Sequence, residues 1–492
     1  MADGEKTEPM GTLSIRVVDA AAGTETPARV HLTDLDGKTV KVTEFPWWHD
    51  HFVVPGGGTL SLPESHYHAI VERGAEYRAA RADFSIRGNQ TTEVAVTTDR
   101  FVDVQAAGWW PGDLHVHRPP EDIELLMRAE DVHVAPVITW WNTKNYWSNR
   151  SVPNDPSMKF DDNRFYHLMA GEDEREGGAF LYFNGTSPVD LSMCDKEWPS
   201  PLTILADAKR ANSGLWIDIE KPFWWDVPTA IAQGLCDSIG IANNHMCRRG
   251  MYESEAWGKR RDTARLPRPR GNGYWSQEIY YELLSSGIRI APSAGSASGV
   301  LPNPVGYNRV YVHLDGALQW DAWWEGLRAG RSFVTNGPML FVKANGEIPG
   351  HVFQSGEPID IAITAEILTQ DTIPYVEVIK NGAIDHTVPF EEWKRTGSLG
   401  ALRFDECGWF IVRAVTDNSK TFRFASTAPY YVEVGERKER ISRASAQFFL
   451  DWVRERIARI KHDDPRKLEE VLAPHRDAER FWSRRVKQAN AP

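Results

Sequence analysis

Cysteine is scarce in this chain of 492 residues: there are four, at positions 194, 236, 247 and 407, and no two form a CxxC pair. That excludes the thiolate cages of structural zinc modules and a disulfide scaffold, and it fits reduced thiols. Also missing is any apolar run of the ~18 residues a membrane span requires. The opening MADGEKTEPM lacks the apolar core of a secretion signal. The expected location is therefore the cytoplasm, or the periplasm or exterior if a leader has been trimmed. Positive charge is in deficit: the net charge is -12. A nucleic-acid partner needs a basic stripe to neutralise phosphates, so the expected partner is a small molecule, with neither nucleic acid nor membrane involved. A homo-oligomer is compatible with this composition. There is no internal repeat and no low-complexity tract.

Tryptophan is what the chain has in excess, 20 residues, several as doublets: Trp47-Trp48, Trp109-Trp110, Trp140-Trp141, Trp224-Trp225 and Trp323-Trp324. Such doublets either fill large cores or wall a pocket for a sugar ring or another flat ligand.

Period-two runs such as LSIRVV and TEVAVTT, with turn residues in VPGGGTLSLP, predict a small β-sandwich over residues 11–105. From about 108 the pattern changes. Short apolar runs (VHVAPVIT, AFLYF, GLWIDI, SIGIA, RIAPSAG) alternate with helical stretches (PLTILADAKRAN, EIYYELLSSG, WDAWWEGLRAG) across a domain spanning 106–338. This alternation predicts a parallel α/β sheet or barrel. Strands return over 339–434, with Lys380-Asn381-Gly382 as a hairpin turn, and predict a second β-sandwich. Residues 435–492 read as a helical tail, with Ile441, Phe448, Trp452, Ile457 and Ile460 roughly on one face.

The chemistry concentrates in GWWPGDLHVHRPPED, residues 108–122. On a strand, residues i and i+2 share a face, so His115 and His117 project together and two imidazoles can bind one metal. Asp113 lies on the same side, to orient a histidine or to ligate. In a parallel α/β domain the reactive residues gather at the strand C-termini. Those ends carry Trp140, Trp141 and Asn142; Glu172, Asp173 and Glu174 beside AFLYF; Glu220, Lys221 and Asp226; and Asn243, Asn244 and His245. Imidazole with carboxylate suits zinc, manganese or iron. Asn303 and Arg309, in PNPVGYNRVYV, are candidates for binding a substrate.

GWWPGDLHVH, the α/β alternation behind it and LRAGRSFVTNGPML resemble the PHP (polymerase and histidinol phosphatase) superfamily, and more closely its CehA/McbA metallohydrolase branch. The resemblance covers roughly residues 105–345. It implies a distorted seven-stranded, TIM-like β/α barrel flanked by sandwich modules. It also implies one to three metal ions at the strand C-termini and hydrolysis of esters, phosphoesters, carbamates or glycoside-like bonds. His115 and His117 match the first motif. The family's Thr-Asp-His-Asn is here Thr139-Trp140-Trp141-Asn142, its His-Pro is replaced by Glu220-Lys221-Pro222, and its Ser-Asp-x-His by Ser296-Ala297-Ser298-Gly299. These losses argue against three metals and for one divalent ion, held by His115, His117, Glu220 and His245.

The leading expectation is thus a metal-dependent hydrolase. Glu172 or Asp226 would be its general base, Lys221 would stabilise developing charge, and Trp140, Trp141, Trp224, Trp225, Asn303 and Arg309 would bind substrate. One alternative is a non-catalytic protein that stacks a carbohydrate or aromatic ligand on the same tryptophans. Another is a metal-independent carbohydrate-active enzyme using Glu220 and Asp226 as paired carboxylates.

Overall fold

The computed structural model describes residues 9–492. Residues 10–100 form two sheets around one apolar core. Gly57–Pro63, Met10–Asp19, Thr91–Arg100 and Tyr77–Arg78 make the first; Trp47–Trp48, His51–Val54, Ala28–Asp34, Ser65–Glu72 and Ala80–Ile86 make the second. Alternate residues of Met10–Asp19 (Leu13, Ile15, Val17) point inward against Val30, Phe52 and Val71, as the period-two pattern requires.

The expectation of a TIM-like, seven-stranded β/α barrel over 106–338 is corrected here. Strand exceeds helix in the chain, 38% against 21%, and the strands lie in several mixed sheets, none of them closed. Two of the expected crossovers are absent. Residues 142–163, between Val134–Trp141 and Arg164–Arg175, hold short strands and no helix. Arg164–Arg175 then turns straight back into Gly178–Phe183 as an antiparallel hairpin, with Arg175 opposite Gly178. Gly178 sits at φ +120°, a conformation that favours glycine, so the Glu176-Gly177-Gly178 stretch makes a tight turn where a crossover helix was expected.

Further along, Trp216–Ile219, Ser238–Ala242 and Ala291–Ala294 run parallel. Arg309–His313 and Ser332–Thr335 are antiparallel, and Ser332–Thr335 pairs with Phe424–Thr427. The central sheet therefore continues into the C-terminal strands as one mixed sheet of seventeen.

Facing part of that sheet, Met339–Ala344, Ile359–Leu368 and Ser398–Phe404 form a three-stranded sheet over a shared core. The Lys380–Ala383 turn has Asn381 and Gly382 at φ 50° and 91°, the backbone that an Asn-Gly hairpin demands. Helices Arg443–Arg459 and Pro465–Gln488 pack together through Phe449 stacked on Trp482 at 4.8 Å. Both helices dock on the central region: Trp482 donates to the Pro228 carbonyl at 2.9 Å, and Trp452 meets Trp225 edge-on. Among the described residues no helix is long and apolar enough to cross a membrane.

Candidate metal centre

Residues 113–117 form the floor of the site. Their position is fixed from both sides: Val116 bridges to Val137 on one flank and to Ser298 on the other, and the His117 amide donates to the Ser298 carbonyl at 2.8 Å. Asp113 is fully buried and accepts three backbone N–H groups, from His115 (3.0 Å), Ser296 (3.0 Å) and Gly306 (2.6 Å). It neither ligates nor faces an imidazole; it fixes the backbone that carries His115. Burial pushes its carboxyl up, against these donors. Gly295 and Gly299 allow the flanking loop to approach closely. A Cβ at Gly295 would meet the His115 Cβ at 2.4 Å, and Gly299, at φ +101°, lies against the His117 carbonyl.

On this floor three ligand atoms converge. His115 Nε2 and His117 Nε2 are 2.9 Å apart, and Glu172 Oε2 lies 3.5 Å from the first and 3.1 Å from the second. Glu172 Oε2 is buried and has no hydrogen-bond partner among the described residues. A circle through three atoms at these separations has a radius of about 1.8 Å, so an ion bonded at about 2.0–2.2 Å, as zinc is to imidazole and carboxylate, fits slightly off their plane. The donor set of two imidazoles and one carboxylate suits zinc, manganese or iron.

Glu220 stands behind this triad. Its Oε1 is 3.6 Å from His115 Nδ1, on the face of the ring away from Glu172. Its oxygens accept from Trp224 Nε1 (2.8 Å), Asn244 Nδ2 (2.6 Å) and, closely, Lys221 Nζ. This is the placement of a carboxylate that orients a metal-ligating histidine. Lys221 is held by Glu220 and lies over the Trp224 ring at 4.7 Å.

Electrostatically the cluster is short of cation. Burial opposes protonation of His115, but Glu172 and Glu220 outweigh it and raise the imidazole. His117 is held low by burial, and Glu172 is held well below the usual carboxylate range, against its own burial, by the two histidines.

Glu172, Glu174, Lys221, Trp224, Asn244 and His245 are among the walls of a cavity of about 140 Å³ that opens on the triad. Trp141 lines it too, its ring 5.1 Å from that of His117. Glu174 shares the face of Glu172 on strand Arg164–Arg175, and its carboxylate makes no hydrogen bond or ion pair among the described residues. Burial, with Glu172 and Glu220 nearby, pushes it up to about 7. His245 donates through Nδ1 to the Ser254 carbonyl, 3.0 Å away, and is held well below its usual range by burial and Lys221; it is a wall residue outside the converging triad.

Other expected site residues stand elsewhere. Asp226 is fully buried in an ion pair with Arg456 at 2.6 Å, beside His475, and is not part of the cavity wall. Pairing it with Glu220 as two glycosidase carboxylates is thereby set aside. Trp140 packs on Tyr182 in the core, and Trp225 packs on Trp452. Asn303 ties together the backbone of Asn244, Arg248 and Ser296. Arg309, fully buried, donates to the carbonyls of Gly306 and Glu130. Sequence reasoning missed Trp257, a cavity wall whose only signal is an indole set in the polar stretch Glu253–Gly258.

A second cluster, His31, Asp50 and His51, lies in the N-terminal module. Arginines engage its lone pairs: Arg248 lies 3.0 Å from His31 Nδ1, Arg29 donates to His31 Nε2 at 3.0 Å, and Arg249 pairs with Asp50 at 2.8 Å. Its side chains are part of an ion-pair network between modules.

No family model matches this chain, and no curated protein does. Among solved structures, the chain is similar to GBS52, the minor pilin of Streptococcus agalactiae, at 17% identity over 20% of this chain and 47% of that one, with a TM-score of 0.17. It is similar to fibronectin(III)-like modules of Clostridium thermocellum CbhA at 14% identity over 19% of this chain and 94% of that one, TM-score 0.13. It also resembles the apo form of Bacteroides uniformis beta-glucuronidase 3 at 10% identity over 85% and 60% of the two chains, TM-score 0.16. The chain spans less than half the length of the pilin GBS52. Likenesses of this size bear on neither the overall fold nor the activity.

Proposed function

We propose that this protein is a hydrolase dependent on one divalent metal ion, acting on a small molecule, the activity class that its CehA/McbA-like motifs imply. The observation that carries the reading is the convergence of His115 Nε2, His117 Nε2 and the unpartnered Glu172 Oε2 on a space of ionic size at the end of a cavity. When bound there, a divalent ion supplies Lewis acidity and a water of lowered pKa.

The rest is the work of the chain's own residues. Glu220 faces Nδ1 of His115 across 3.6 Å, and the Trp141 ring packs on His117, so both imidazoles are flanked before substrate arrives. Glu174, unpaired in the cavity wall, takes the proton of the attacking water and returns it to the leaving group. Trp224 and Trp257, their rings 4.7 Å apart, give the same space an apolar wall. Glu172, expected as the base, serves as a ligand, and Lys221 neutralises Glu220.

The test is elemental analysis after incubation with zinc, manganese or iron and removal of excess ion. One ion per chain is expected for the unaltered protein and none for His115→Ala. Absence of stoichiometric metal from the unaltered, folded protein would sink the reading.

A further inference from the structure

The metal cavity does not stand alone. A second, more open cavity of about 500 Å³ adjoins it and shares two wall residues with it, Glu174 and Trp257. Trp257 is 44% exposed, a large fraction for an indole. It is nevertheless held in place. Its Nε1 donates to the Arg175 carbonyl at 3.1 Å, its carbonyl accepts from Trp225 Nε1 at 2.7 Å, and its ring leans on Trp224. A fixed, exposed aromatic face between two cavities is a stacking platform whose ordering cost is met in the free protein.

The charges in the walls narrow the ligand class. Lys221 is committed to Glu220, and Arg175 to Asp173 through two bonds of 2.6 and 2.7 Å. That leaves the exposed Lys196 against the carboxylates of Glu174 and Glu176, neither of which has an ion-pair partner among the described residues. An anionic ester would find only the exposed Lys196 as a free cation beyond the metal, and would face two unpaired carboxylates, Glu174 and Glu176. What the walls offer are acceptors and indole faces. Those match the hydroxyl donors and the C–H face of a neutral sugar ring.

Resting on the metal-site reading above, we infer that the substrate is a neutral saccharide of at least two units. It would straddle Trp257, one ring beside the triad and the next in the larger cavity, with a hydroxyl donated to Glu174.

The test is titration of the full-length protein with glucose and with the neutral disaccharides maltose, cellobiose and lactose, followed by tryptophan fluorescence and calorimetry. Glucose 6-phosphate and tetramethylammonium serve as anionic and cationic controls. At least one disaccharide should bind about tenfold more tightly than glucose. Trp257→Ala should abolish that gain and Trp257→Phe should keep part of it, with zinc stoichiometry and far-ultraviolet dichroism unchanged in both. If zinc binds but no disaccharide does, or if only the phosphate or the ammonium ion binds, the inference is overturned and the metal reading stands. If disaccharide binding persists in chelator and no metal is ever found, the metal reading falls and the saccharide site remains.

Discussion

Three glutamates that line the cavity around His115 do three different things, and substitution to glutamine separates them. Glu172 contributes a charged ligand atom, so Glu172→Gln should lose stoichiometric metal. Glu220 acts on the metal through the His115 ring, so Glu220→Gln should still bind the ion, about 10–100-fold more weakly, in a competition titration against a chromophoric chelator. Glu174 touches no ligand, so Glu174→Gln should keep full metal content while turnover of any substrate found falls by about 10²–10⁴-fold. Equal metal loss in all three variants would contradict this division. The sequence made the His115/His117 pair legible because strand periodicity is a local rule. It could not rank Glu172 against Glu174, because both lie on one face and only depth along the strand separates them. The tryptophan doublets were ambiguous for the converse reason. Neighbours on a strand face opposite ways, so Trp141 reaches the cavity while Trp140 goes to the core.

Elements far apart in sequence explain why Asp226 looked catalytic and is not. Helix Arg443–Arg459 brings Arg456 to Asp226 at 2.6 Å and to Glu197 at 2.9 and 2.6 Å, all three side chains buried. No local pattern around residue 226 reveals a helix some 230 positions downstream, so a carboxylate near a strand end was read as reactive. Arg456→Met removes the shared cation and leaves two buried carboxylates facing each other. It should cost about 3–5 kcal/mol in urea unfolding, and adding Asp226→Asn and Glu197→Gln should recover much of that. A loss below about 1 kcal/mol would mean that the tail is not integral to the central region. The same blindness to distant partners misassigned the central sheet. The apolar runs were found, but their direction was not, because AFLYF reads alike as a parallel strand or as the return arm of a hairpin. By contrast, Asn381-Gly382 was legible because its left-handed backbone is dictated locally.

At the scale of the whole molecule, the N-terminal module, the central sheet and the tail are joined by buried polar contacts. Arg29 pairs with Glu130, Trp48 donates to the Leu301 carbonyl at 2.8 Å, and Thr229 meets His475 at 2.8 Å. Buried groups at and away from these joints titrate, and not all in one direction. Burial pushes Asp218 up to about 7 and Glu76 up to about 8, which favours the folded state as pH falls; burial pushes His475 and His167 down to about 4, which does the opposite. These contributions oppose one another, so a difference between two proteins is the informative measurement. His475 is buried beside Asp226, at 3.7 Å, with Arg456 opposing its charge. Its folded pKa lies below the ordinary value of about 6.5, so above pH 6.5 neither state binds the proton. Between about 6.5 and 4 only the unfolded chain binds it, and stability drains away at up to about 1.4 kcal/mol per pH unit. His475→Gln abolishes that proton uptake. The stability of the variant relative to the unaltered protein should therefore rise by about 3 kcal/mol as pH falls from 6.5 to 4, whatever the offset at neutral pH, in paired urea titrations. A difference that stays flat across that window would place a charged imidazole at the joint between tail and centre.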